Sequence, residues 1–166
     1  MRSIRQVSTI SGLPAHPLLV HFIVVLAPLT ALLLILCAVW PAARERLTWL
    51  AVALASVNLI LTPIVSEAGE WLYGKVEDTE LLEVHEHLGE TMIYVSIALL
   101  VAAILVAAAH VRAGRGKPLS TVLSAVIAVV VILIGVGATA QVFRIGHSGA
   151  ESVWSDALLP AGGGEG

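Results

Sequence analysis

Four long apolar runs constrain this chain more than any other feature of its sequence. They cover about residues 18–40, 49–65, 91–111 and 119–143. A helix of about 20 apolar residues matches the roughly 30 Å hydrocarbon core of a bilayer. No run carries Asp, Glu, Lys or Arg in its interior, as expected because charge in hydrocarbon is costly. The sequence therefore predicts an all-α membrane protein whose four transmembrane helices form one bundle.

The amino-acid composition is typical of an integral membrane protein. The 166 residues are 58% hydrophobic and 13% charged, and the mean hydropathy is +0.94. Soluble domains average about 45–50% apolar and about 25% charged residues, so a water-soluble domain of this size could not hide so much apolar surface. We expect residues 1–160 to form a single transmembrane domain, and the glycine-rich residues 161–166 to form a disordered tail.

Charge on the connecting segments predicts which way the bundle faces. The two short loops carry five basic residues: Arg44, Arg46, Arg112, Arg115 and Lys117. Of the 12 acidic residues, all except Glu45 lie on the opposite side. The positive-inside rule therefore places both short loops in the cytoplasm and both termini of this multi-pass cell-membrane protein on the extracytoplasmic side.

Two segments outside the apolar runs carry helix-start signals. Asp78 or Thr79 is a suitable N-cap ahead of helix-forming residues, so the third helix is expected to start near Thr79, well before the lipid. Ser148 and Glu151 have the spacing of a capping box. They predict a short C-terminal interfacial helix that lies on the membrane surface or across the mouth of the bundle.

Histidines and carboxylates collect at the predicted outer end. Five of the six histidines lie there, and only His110 lies at the inner end; the five are His16, His21, His85, His87 and His147. The same end carries Glu67, Glu70, Glu83, Glu86 and Glu90. Neutral imidazole binds a metal through one ring nitrogen while a carboxylate or carbonyl holds the other. The outer end is therefore the predicted cofactor site.

His21 is the sharpest candidate, because it lies about one turn inside the first apolar run. An imidazole at that depth is costly unless it is paired, although it could also snorkel to the interface or bond a backbone carbonyl. His85 and His87 lie about 200° apart on a helix, so at most one faces the bundle. His16 is interpreted as a loop histidine. His147 could fold back over the bundle mouth.

Two ligand sets follow from these positions. For haem b, His21 and His87 are the preferred axial pair, and His85 or His147 could replace His87. For zinc, copper or iron, imidazoles combine with carboxylates, and the candidate ligands are His21, His87, His147, Glu67, Glu70 and Glu90.

Three short elements of the chain resemble a bacterial multi-pass membrane family of unknown function. Its members open with His-Pro-x-x-Val-His-Phe-Pro, which is similar to His16-Pro17 through His21-Phe22, although Ile23 replaces the final proline. Gly69-Glu70-Trp71 resembles a shortened Gly-x-x-Asp-Trp element of the family, and Gly146-His147 resembles its ending. Some relatives are fused to Rieske or c-type cytochrome domains, so the resemblance implies a redox setting.

Three functions remain open from the sequence. The first is a haem b membrane protein that transfers electrons, with the bilayer around it and a redox protein as partner on its outer face. The second is a non-haem metal protein, and the third is a cofactor-free membrane anchor or interaction subunit. A homodimer could complete the site. Nucleic-acid binding is not expected because basic residues are few. The sequence carries no nucleophile constellation, phosphate loop or zinc-protease signature, and it does not decide whether the protein is an enzyme.

Overall fold

Helices account for nearly all of the described chain. The structure, a computed structural model, describes residues 9–10, 12–77 and 79–158. The helices are α1 (Ala15–Val39), α2 (Pro41–Tyr73), α3 (Glu80–Glu90), α4 (Met92–Gly114) and α5 (Thr121–Leu158). A two-stranded antiparallel hairpin, β1 (Thr9–Ile10) with β2 (Leu13–Pro14), precedes α1. Gly12 at its turn has a φ of 83°, a conformation that favours glycine.

Four of these helical segments are long and apolar enough to cross a membrane, as the sequence predicts. They are Ala15–Val39, Pro41–Tyr73, Glu80–Gly114 and Thr121–Trp154. The helices are longer than the apolar runs that predict them, because hydropathy identifies only the part that suits lipid. At about 1.5 Å per residue, the 33 residues of α2 extend about 50 Å and project beyond the hydrocarbon core.

The predicted start of the third transmembrane segment is confirmed. α3 begins at Glu80, and the hydroxyl oxygen of Thr79 accepts a hydrogen bond from the Leu82 backbone N–H at 3.3 Å. This is the N-cap arrangement that satisfies one of the free N–H groups of a helix start. The helix is interrupted at Thr91, where the hydroxyl donates back to the Leu88 carbonyl at 2.6 Å, and α4 continues from Met92.

No separate C-terminal helix begins at Ser148 in the described part of the chain. α5 passes through Ser148 without a break and continues to Leu158. The Ser148 hydroxyl donates to the Ile145 carbonyl of its own helix at 3.0 Å, a bond that serine can make inside a helix instead of capping a new one. The tail predicted for residues 161–166 lies outside the described residues.

The transmembrane helices pack in a ring, with α1 against α2, α2 against α4, α4 against α5, and α5 against α1. α3 extends beyond α4 and packs mainly on α5. Small residues dominate the centre of the ring, and those with at most 1% exposure include Ala27, Ala31, Ala51, Ala55, Ala102 and Ala103. Small side chains let helix backbones approach closely, which is how helices associate in lipid.

Candidate functional site

Four helices converge at the end of the bundle where α1 begins and α5 ends. We call this the histidine end and define it by five residues: His16 on α1, Gly69 on α2, His85 on α3, and Ser148 and Gly149 on α5. The hydrogen bonds and contacts described below join these residues across helices that are distant in sequence. Since none of these helices supplies more than one histidine here, only the tertiary fold assembles the site.

His16 is fixed by the end of α2. Its Nδ1 lies 3.0 Å from the backbone oxygen of Val65, and its ring is half-buried. A carbonyl oxygen can only accept a hydrogen bond, so Nδ1 of His16 carries the proton and donates. In the neutral ring this leaves the lone pair on Nε2.

His85 is fixed in the same way by α5. Its Nδ1 lies 3.0 Å from the hydroxyl oxygen of Ser148. The Ser148 hydroxyl hydrogen is donated to the Ile145 carbonyl, so its oxygen accepts from Nδ1–H of His85. The neutral His85 ring therefore also has its lone pair on Nε2. Both of these hydrogen bonds use Nδ1, so neither of them occupies Nε2.

The two imidazoles lie edge to face with each other at the histidine end. Their ring centroids are 6.3 Å apart, and the ring planes are inclined at 74°. Two glycines make room for them. A Cβ on Gly69 would lie 2.9 Å from Nδ1 of His16, and a Cβ on Gly149 would lie 2.8 Å from Cε1 of His85, distances that real Cβ atoms essentially never show. Neither ring could occupy its place beside a larger residue.

This arrangement is suited to binding a metal ion through two imidazoles. A ligating histidine usually donates its other ring N–H to a carbonyl, a carboxylate or another oxygen, which fixes the tautomer and the ring orientation. His16 and His85 both have that bond. Because both rings are held from the Nδ1 side, the unprotonated Nε2 atoms are the ones available as ligands or proton acceptors.

His21 and His87, the preferred axial pair from the sequence, are not brought together at this site. His21 is exposed on α1, and its Nδ1 bonds the Pro17 carbonyl of the same helix. This is the backbone-bonded alternative considered for it. His87 has a 75% exposed side chain whose Nδ1 lies 3.7 Å from Glu90, one turn along α3. His85, two residues before His87, faces the bundle instead.

The other predicted ligands also point away from the histidine end. His147 is exposed, stacks on Phe143 with centroids 6.0 Å apart, and lies 3.3 Å from a carboxylate oxygen of Glu151. It directly precedes Ser148, and consecutive helical residues point about 100° apart. Glu67 and Glu70 are exposed on α2. Within the described ranges, no three His, Cys, Asp or Glu side chains form a group that could hold a metal.

His16 is the functional candidate that the sequence interpretation missed. We interpreted it as a loop histidine, but α1 begins at Ala15 and includes His16. Pro17 is tolerated there because the first four N–H groups of a helix have no partner within it. A usable signal was present in the sequence: Gly69, part of the Gly-Glu-Trp element, is the residue that admits the His16 ring.

Comparison with known proteins gives a family and no closer relative. Residues 12–160 match the model of the family described as Predicted membrane protein (DUF2231). No curated protein and no solved structure matches the chain. The match covers all four transmembrane segments up to residue 160 and includes every residue of the histidine end.

Proposed function

This chain belongs to the DUF2231 family of membrane proteins, whose description names no activity, and we propose from the geometry of the histidine end that it is a haem b-binding electron-transfer protein. His16 and His85 are the residues that would hold the haem iron in this proposal. Bound haem would supply a one-electron redox centre. The protein would supply two oriented imidazoles, a half-buried position and the surrounding apolar helices.

One observation carries this proposal: both histidines are held through Nδ1–H by an oxygen on a neighbouring helix, at 3.0 Å in each case. The separation of the rings supports it. A nitrogen ligand lies about 2 Å from the metal ion that it binds, so two imidazoles that share one ion would have to lie within several ångströms of each other. The observed centroid distance is 6.3 Å.

The number of ligands favours haem over zinc or non-haem iron. Those ions take three or four protein ligands in most sites, and the described residues bring only two imidazoles together at the histidine end. Haem iron needs no more than two protein ligands, because the porphyrin provides the others. A bare copper or zinc ion remains the alternative that metal analysis would detect.

We further propose that the histidine end faces the extracytoplasmic side. The five basic residues lie at the opposite end of the bundle: Arg44 and Arg46 are in the first turns of α2, Arg112 is in the last turn of α4, and Arg115 and Lys117 follow it before α5. The positive-inside rule assigns that end to the cytoplasm. A redox partner would then approach from outside, where α3 presents exposed carboxylates at Glu80, Glu83 and Glu90.

The test is the absorption spectrum of purified protein, expressed with a haem precursor and also reconstituted with hemin. We expect a Soret band that shifts on reduction with dithionite, and loss of the two-histidine spectrum in His16→Ala and in His85→Ala. The matched control is His87→Ala, since this exposed histidine lies on the same helix as His85.

The outcomes separate the candidate functions. Wild-type spectra in both His16→Ala and His85→Ala would contradict the ligand assignment. Loss of haem in His21→Ala and His87→Ala, with His16→Ala unchanged, would support the pair expected from the sequence. A colourless protein that carries stoichiometric copper, zinc or iron would favour the non-haem alternative, and a colourless protein without metal would favour a membrane anchor.

A further inference from the structure

A second polar cluster lies near the middle of the bundle, far from the histidine end. It consists of Thr30 on α1, Asn58 and Thr62 on α2, and Ser96 on α4, and each residue is at most 2% exposed. Asn58 lies at the middle of the 33-residue α2. Polar side chains at this depth need partners, because lipid and apolar side chains provide none.

Every hydrogen that the cluster can donate is already used. Asn58 Nδ2 donates to Thr30 Oγ1 and to the Leu54 carbonyl, both at 3.0 Å. The Thr30 hydroxyl donates to the Leu26 carbonyl at 2.7 Å. The Thr62 hydroxyl donates to the Asn58 carbonyl at 2.8 Å, so the 2.7 Å contact between Thr62 and Ser96 is donated by Ser96.

One acceptor is left without a partner. Asn58 is 0% exposed, and its Oδ1 has no hydrogen-bond donor among the described residues. Exchanging the oxygen and nitrogen of the amide does not remove the problem. It would place Oδ1 against the Leu54 carbonyl oxygen, which can only accept. The cluster therefore has more acceptors than donors.

We propose that Asn58 Oδ1 is the anchor of a water-binding site in the membrane interior, between α1, α2 and α4. The ligand must bring a donor, since the cluster has none to spare. A water molecule can do so and can hydrogen-bond several buried acceptors at once. A cation would also satisfy Oδ1, but the spans carry no acidic side chain near Asn58 to balance its charge. This inference does not depend on haem binding.

The experiment uses the unmodified protein in lipid bilayers. Asn58 is the only asparagine in the sequence and Cys37 the only cysteine, so selective labelling of asparagine and cysteine with ¹³C and ¹⁵N gives one side-chain signal from each, and neither needs assignment. Solid-state NMR then measures polarisation transfer from water protons to each side chain. We expect transfer to Asn58 several-fold stronger than to Cys37, which is also 0% exposed and has its thiol directed at the Ala43 carbonyl.

Two outcomes would overturn the proposal. Transfer to Asn58 no stronger than to Cys37 would show a dry site. A shift of the Asn58 signal when choline is replaced by Na⁺ or K⁺, without water transfer, would show a cation site. Substitution Ser56→Ala provides a control, because this hydroxyl bonds the Val52 carbonyl of its own helix, and it should leave the Asn58 signal unchanged.

Discussion

The two ends of the bundle use histidine in different ways. At the histidine end, His16 and His85 each donate to an oxygen on a neighbouring helix, and their rings lie edge to face with each other. At the opposite end, His110 meets the Trp49 ring edge to face, with centroids 6.2 Å apart. An aromatic neighbour offers packing but no second ligand. All three histidines are half-buried, so the two ends differ in the partners of their histidines and not in depth.

The ends also differ in what holds the helices. At the opposite end, the Arg44 guanidinium donates to the carbonyls of Cys37 and Ala38 at 2.8 and 2.7 Å, which satisfies the C-terminus of α1. Cationic donors are favourable at a helix C-terminus. We therefore expect substitutions at the histidine end to alter the cofactor spectrum, and substitutions at the opposite end to alter stability alone.

The largest effect is expected for Gly149→Ala. A Cβ there would lie 2.8 Å from the His85 ring, so the ring must move and haem binding should be lost in the absorption spectrum. Gly146→Ala is the matched control on the same helix, because nothing lies within 4 Å of its added Cβ. That control should keep the spectrum and gain up to about 1 kcal/mol of helix stability. Equal spectra in the two variants would contradict the role of Gly149.

A smaller effect at the same end is expected for Ser148→Ala. The change leaves Nδ1–H of His85 without its acceptor, and loss of such a supporting bond typically weakens metal affinity about 10–100-fold. Hemin titration would measure the change. Ser152→Ala serves as the control, because the Ser152 hydroxyl donates to the Gly149 carbonyl of its own helix. An affinity unchanged in Ser148→Ala would show that the bond does not orient the ligand.

At the opposite end, Arg44→Gln should lower the free energy of unfolding without changing the haem spectrum. Hydrogen bonds from a charged group contribute about 1.5–3 kcal/mol each, and two are weakened or lost here. Denaturant unfolding followed by circular dichroism would measure the loss. Arg46→Gln, at an exposed position two residues away, should change stability far less. A change of the haem spectrum in Arg44→Gln would contradict the expectation that substitutions at the opposite end alter stability alone.

The smallest effect is expected for His110→Ala. It removes one edge-to-face ring contact, which contributes about 0.5–1.5 kcal/mol beyond area burial. The haem spectrum should be unchanged, and the unfolding midpoint should fall slightly. Loss of haem in this variant would mean that a second haem site exists at the opposite end, and that both ends of the bundle bind a cofactor.

The sequence predicted the coarse fold because hydropathy is a local property. The four uncharged apolar runs correspond to four helical segments that are long and apolar enough to cross a membrane, and Thr79 precedes α3 as its N-cap. The separate helix predicted to start at Ser148 is not seen, because α5 continues through this residue. The same capping residues are compatible with a continuous helix when the Ser148 hydroxyl donates to the Ile145 carbonyl. The helical period also restricted the choice to one of His85 and His87, without indicating which of them.

What the sequence by itself determined is therefore the membrane location, the number of spans and the segregation of histidines to one end. Only the tertiary structure decided which histidines meet, because the partners of His16 and His85 lie 49 and 63 residues away in the chain. Ring orientation depends on a carbonyl, a hydroxyl and two glycines on other helices. No periodicity within one segment encodes such contacts, since they exist only after the helices have packed.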